Sequence, residues 1–302
     1  MRVTLASDRI ALTLVPAFGA RITALTDKAS GRQWLVPGAL DGRAADDARY
    51  LGAEARGWDE CFPTVAPCDH PFWGRMRDHG LLWGRPWGVD GGADHCTATF
   101  QDPRFTFCRT IRLAGACLHA DYAVTNHGDT GLPYLWSQHV LLATTPDDRI
   151  ALAGIGPMEA GGTPFGWPAH PDRDLQRIGA VGEGFALKAY ADTPGAACAA
   201  VAGPRGGLRF DWHGDEIGSF GLWLNYGGWP EGGAVHQIAL EPATAPADDL
   251  AAAERLVRAR HLAPQATHRW TMRMTMTDPQ ILPQTGPRIS AAKDPKTQGR
   301  LQ

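Results

Sequence analysis

The chain has 302 residues, and its 29 Lys and Arg stand against 32 Asp and Glu, for a formal net charge of -3. No basic block is present to neutralise a phosphate backbone, so nucleic acid is not an expected partner. The length suffices to bury a large core, as two ordinary domains or one large all-β domain.

Met1-Arg2-Val3-Thr4-Leu5 runs straight into alternating strand-like sequence, without the cationic region and apolar stretch of a signal peptide. No uninterrupted apolar run reaches membrane-spanning length. The expectation is a soluble, cytoplasmic protein. Apolar residues at every second position then mark a strand through Ile10, Leu12 and Leu14.

Gly57-Trp58-Asp59-Glu60-Cys61-Phe62-Pro63 follows, and then Arg75-Met76-Arg77-Asp78-His79-Gly80 and Arg85-Pro86-Trp87. A lone His-Gly pair carries little information. A G-x-x-x-x-F-P turn followed by His-Gly and R-P-W carries much more. Trp58, Trp73, Trp83 and Trp87 crowd this stretch with Phe62 and Phe72, as a bulky core or as aromatic faces for a sugar ring. The six cysteines are too sparse for a disulfide scaffold and are read as thiols, with Cys61 to Cys68 as the pairing weighed against that.

Period-two alternation recurs at Phe105 to Leu113, where Arg109 falls on the apolar face, and at Leu118, Ala120, Tyr122 and Val124. After Val124, the run Asn126-His127-Gly128-Asp129 makes a turn, and the next strand carries His139 among Leu135, Trp136, Val140, Leu141 and Leu142. Gly221 to Pro230 supplies Trp223, Asn225 and Trp229 as cleft candidates. Gln237-Ile238-Ala239-Leu240-Glu241-Pro242 then ends an apolar strand on a carboxylate. Buried there, Glu241 is expected to have a raised pKa and to be a better base than a solvated acid.

Pro246 to Arg258 reads as a short helix, with acids near its beginning and arginines near its end. Trp270, Met272, Met274 and Met276 form one core face of a closing strand rather than a metal-binding cluster. Residues 1–278 are expected to form one domain, and 279–302 a mobile tail or surface arm.

Several chemistries drop out. There is no G-x-S-x-G, no Walker loop, no strand-linked G-x-G-x-x-G and no H-E-x-x-H. His70, His95, His213, His236 and His261 fit ordinary surface or turn positions, and no metal or other cofactor is expected.

Taken singly, His79, His139 and Glu241 are as readily two satisfied core histidines and a loop-anchoring acid. Together and in this order they resemble the aldose 1-epimerase (galactose mutarotase) superfamily, nearer its branch of glucose-6-phosphate 1-epimerases. The resemblance runs from Pro16-x-x-Gly19-Ala20-x-Ile22-x-x-Leu25, through the two histidine segments, to Leu240-Glu241-Pro242 and Leu262-Ala263-Pro264. It implies a large antiparallel β-sandwich, the galactose mutarotase-like supersandwich, with a sugar on one sheet.

It also implies roles. His79 would hydrogen-bond the sugar near its ring and anomeric oxygens, His139 would protonate the ring oxygen, and Glu241 would take the anomeric proton. Arg77, Asp78, Asp59, Trp83, Trp223 and Asn225 are the residues expected to bind substrate, with Glu60 beside them. The hydroxyl-reading aspartate of galactose mutarotases has no counterpart in the sequence, which leaves a modified, acidic or ketosugar open as substrate. The expected partner is a small-molecule sugar, handled by a monomer or homodimer. A carbohydrate-binding protein without turnover, and a lyase or hydrolase, are the alternative readings.

Overall fold

A computed structural model describes residues 2–38, 50, 54–230 and 235–279. Except for Pro279, the expected C-terminal arm lies outside the described residues.

The protein is an all-β antiparallel sandwich of two large sheets. Among the described residues one sheet has eleven strands, and its central order is Arg21–Asp27, Trp58–Cys61, Ser137–Leu142, His236–Ala243, Ser219–Tyr226 and Phe185–Asp192. The other has eight, with Thr267–Thr277 and Cys117–Asn126 at its middle. Phe105–Ala114, Cys117–Asn126 and Thr267–Thr277 alternate buried and more exposed residues, as half-buried strands should. The stripe of Trp270, Met272, Met274 and Met276 lies inside a core cluster that extends from Leu5 to Met276.

Arg109, the residue that interrupts the apolar face of its strand, donates to Glu60 Oε1 at 2.8 Å, and both side chains are fully buried. Glu60 also accepts from the indoles of Trp58 and Trp136 and from the Tyr122 hydroxyl. A buried charge survives when paired and hydrogen-bonded on every side, and this one ties the two sheets together. Glu60 is therefore a core residue and lines no cleft. Trp58, Trp73, Trp83 and Trp87 are buried as well, so these four indoles are packing, whereas Phe72 is exposed.

The helix is shorter than expected, Leu250–Arg255, because Asp249 is its N-cap and accepts from the Ala252 amide. All six cysteines are free thiols. No helix among the described residues is long and apolar enough to cross a membrane.

Alternation assigns Trp58, Glu60 and Gln138 to the face between the sheets, and Asp59, Cys61 and His139 to the opposite face. There, Asp59 is registered against His139. Ser137 pairs with Ala243 and Leu141 with Ala239, which sets His139 opposite Glu241. Glu241 pairs in turn with Gly221, and Gly221 with Tyr190. One row across five strands thus carries Asp59, His139, Glu241, Gly221 and Tyr190.

Candidate active site

Over that row lies a cavity of about 290 Å³ lined by Tyr50, Asp78, His79, His139, Lys188, Trp223, Trp229 and Glu241, among others. It is at the small end of ligand pockets, which run to roughly 300–1,000 Å³, and suits one small molecule. A hollow of about 510 Å³ at His70, Glu254 and His261 is larger. It lacks the convergence of buried acids and bases on which chemistry depends.

His79 reaches the cavity through a tight local turn. The His79 amide donates to Val65 O at 2.5 Å, the Leu81 amide to Phe62 O at 2.6 Å, and His79 itself has φ 59°. At Gly80, with φ +70°, a Cβ would stand 2.1 Å from Phe62 O, so only glycine lets the two segments meet. This is the physical content of the Phe-Pro and His-Gly motifs. The His79 ring stacks on Tyr50 with centroids 3.7 Å apart, and its Nδ1 contacts Asp78 Oδ1 at 2.9 Å. Burial lowers the His79 pKa, although Asp78 opposes this, and the neutral ring is favoured.

His139 presents Nδ1 to Asp59 Oδ1 at 3.0 Å and lies 3.4 Å from the Tyr50 hydroxyl. With Nδ1 engaged, Nε2 is the nitrogen left for a ligand. Asp59 is also paired with Arg21, both side chains 1% exposed. Burial would raise the Asp59 pKa, but Arg21 and His139 outweigh it and hold the carboxylate well below its usual range. Asp59 therefore stays anionic and orients His139. It stands behind the histidine and does not line the cavity.

Glu241 lies inside its strand, which continues to Ala243, rather than at its end. Its Oε2 accepts from Lys188 Nζ and, at 3.4 Å, from Ser137 Oγ. Oε1 is buried and accepts no hydrogen bond among the described residues. The pKa runs opposite to the sequence expectation. Burial pushes it up, but Lys188, with help from His139, more than offsets this and holds the carboxyl below its ordinary value. The base is anionic at neutral pH because of Lys188.

Three further substrate candidates do not line the cavity. The Arg77 guanidinium donates to Gly80 O at 2.8 Å and Trp83 O at 2.6 Å and lies over the Trp83 ring, so it stitches the loop that carries His79. Trp83 is buried and donates its indole N–H to Asp78 O. Asn225 is buried, donates to Trp229 O at 2.6 Å and accepts from the Gly228 and Trp229 amides, which brings Trp229 to the cavity. Asp78 and Trp223 do line it.

Tyr50, Lys188 and Asp248 line the cavity without having been singled out as site residues in the sequence. The only trace of Lys188 was a polar alternate face in Phe185–Asp192, which reads equally well as a solvated strand face.

The two large antiparallel sheets of the sandwich define the class of architecture. The chain has the galactose mutarotase-like fold. It superposes on a galactose mutarotase related enzyme from Lactobacillus acidophilus with TM-score 0.68 and 14% identity, over 92% of this chain and 98% of the other. It is similar to a galactose mutarotase-like protein from Clostridium acetobutylicum with TM-score 0.69 and 13% identity, over 92% and 95%. A candidate aldose 1-epimerase from Klebsiella pneumoniae gives TM-score 0.73 at 15% identity, over 92% and 79%. These likenesses do not single out the glucose-6-phosphate 1-epimerase branch. No family profile and no curated protein sequence matches the chain.

Proposed function

We propose that the protein is an aldose 1-epimerase that interconverts the α and β anomers of a sugar by acid/base ring opening. The observation that carries this reading is the pairing of His139 with Glu241 on adjacent strands, with a carboxylate oxygen of Glu241 buried and uncommitted beside the cavity.

Opening a cyclic hemiacetal removes the proton from O1 and delivers one to O5. Glu241 Oε1 takes the first, and Nε2 of a protonated His139 gives the second, its imidazolium stabilised by Asp59. The C1–O5 bond breaks, leaving a free carbonyl, a hydroxyl at C5, a protonated Glu241 and a neutral His139. Rotation about C1–C2 presents the other carbonyl face, and the two groups return their protons as the ring recloses. Each positioned acid or base contributes roughly 10²- to 10⁴-fold in rate. His79, neutral and held by Asp78, is placed to bind the ring and anomeric oxygens, and Trp223 and Trp229 offer faces to the sugar's C–H groups.

Apart from the His139 imidazolium, which Asp59 balances, Lys188 is the one cation lining the cavity among the described residues, and it is committed to Glu241. That favours a neutral sugar over an anionic one. The reading carries with it a small-molecule sugar as partner, a monomer or homodimer as the working form, and a cytoplasmic setting.

The same ion pair favours a second reading, a sugar-binding protein without turnover, since an ammonium on the base weakens its basicity. Exchange NMR on neutral and anionic reducing sugars separates the two. Faster anomer exchange that is lost in Glu241→Gln and His139→Ala is the expected result. Sugar binding without any acceleration would leave the binding protein.

A further inference from the structure

Cys61 is fully buried and shares a sheet face with Asp59 and His139. Its Sγ and one ring nitrogen each of His79 and His139 all lie within 4.8 Å of one another. Zinc bonds sulfur and imidazole at about 2.0–2.3 Å, which sets tetrahedral donors about 3.3–3.8 Å apart, so movements of up to about 1 Å would close this set on one ion. One sulfur and two imidazoles suit a borderline-soft divalent cation rather than magnesium or calcium.

The outer contacts point the same way. Each imidazole has Nδ1 on a carboxylate, His79 on Asp78 at 2.9 Å and His139 on Asp59 at 3.0 Å. That is the arrangement by which metal-ligating histidines are oriented and made more basic. The surrounding charge includes Asp59, Asp78 and Glu241, offset in part by Lys188 and Arg21. The epimerase reading has no use for Cys61.

We infer that Cys61, His79 and His139 bind one zinc-class divalent ion, with its fourth position toward the cavity, and that this ion excludes the sugar. The three donors supply one thiolate and two neutral imidazoles, and binding releases to solvent the thiol proton and any proton held on His139 Nε2. The ion occupies the nitrogens that would otherwise serve the sugar oxygens, so it acts as a competitive inhibitor. This second half rests on the epimerase reading, and the metal site itself does not.

The test is titration of the full chain with Co²⁺ alone. One equivalent should give the visible bands of a tetrahedral site and a thiolate-to-cobalt charge-transfer band, both removed by Zn²⁺. Cys61→Ser should abolish the charge-transfer band. Asp78→Asn should weaken the metal by roughly 10- to 100-fold, and this part-exposed position keeps the test available should Cys61→Ser fail to fold. No charge-transfer band in the unmutated protein, or the same spectrum in Cys61→Ser, would overturn the site. In the exchange assay, Zn²⁺ should stop turnover of the unmutated protein, a chelator should restore it, and Cys61→Ser should be insensitive. Undiminished turnover with zinc bound would overturn the inhibition. A cobalt band in a protein with no turnover would sink the epimerase reading and leave the metal site standing.

Discussion

Lys188 and Glu241 meet across an intervening strand, over the vacant side-chain position of Gly221. Lys188 pairs with Trp223, Glu241 with Gly221, and a Cβ at Gly221 would stand 3.3 Å from Glu241 Oε2 and 3.2 Å from Tyr190 Cε1. The base of the proposed reaction is thus tuned by a residue two strands away.

Lys188→Met should therefore raise the Glu241 pKa, because burial is then poorly opposed. The acid limb of the pH–rate profile should move to higher pH. At neutral pH the variant should lose stability by up to about 3–5 kcal/mol, the range for a buried charge left without its partner. The loss should shrink on acidification as the carboxyl becomes neutral. Urea unfolding at several pH values checks the stability, and an unmoved acid limb would show that Lys188 does not tune the base.

Asp59→Asn tests the positioning of His139. The amide can no longer hold the imidazolium, so kcat should fall by roughly 10²-fold or more while KM changes little. Arg21 also loses its buried partner, at a cost of about 3–5 kcal/mol. Full turnover in a folded Asp59→Asn protein would remove Asp59 from the mechanism.

Gly80→Ala addresses the turn under His79. The added methyl meets Phe62 O, and φ +70° is unfavourable for alanine, for a combined cost above about 1–3 kcal/mol. Because the strain falls at the residue after His79, activity should drop more than stability, as thermal melts and exchange rates measured together will show.

His268 should make stability pH-dependent away from the cavity. Burial, followed by the charge of Arg260, pulls its pKa down to about 4 from an ordinary value near 6.5. A depressed pKa means the unfolded chain takes up the proton first, so the contribution is complete above about pH 6.5 and is lost as pH falls toward 4. The expected loss over that window is on the order of 1–3 kcal/mol, reduced from the full linkage value because the ring is only partly buried. His268→Phe should reduce the dependence between pH 6.5 and 4, leaving the part that His79, also depressed by burial, contributes there and the fall at lower pH that Asp59 and Glu241 contribute.

The strands that face solvent on one side were legible as strands, since Phe105–Ala114 and Thr267–Thr277 alternate visibly. The strands that build the cavity were harder to read. Ser137–Leu142 is buried on both faces and His236–Ala243 nearly so, which erases the period of two.

By itself the sequence determined the all-β class, the methionine-lined core face and the residue types available for proton transfer, because side-chain periodicity and turn chemistry are local properties. The tertiary structure alone decided which partners those residues have. Asp59 stands behind His139 from 80 residues away, Lys188 reaches Glu241 across 53, and the Arg77 guanidinium turns to loop carbonyls. Such meetings depend on which distant strands pair and in what register, and an electrostatic environment exists only once they have paired. For that reason the carboxyl expected to be raised by burial is instead held down by an ammonium.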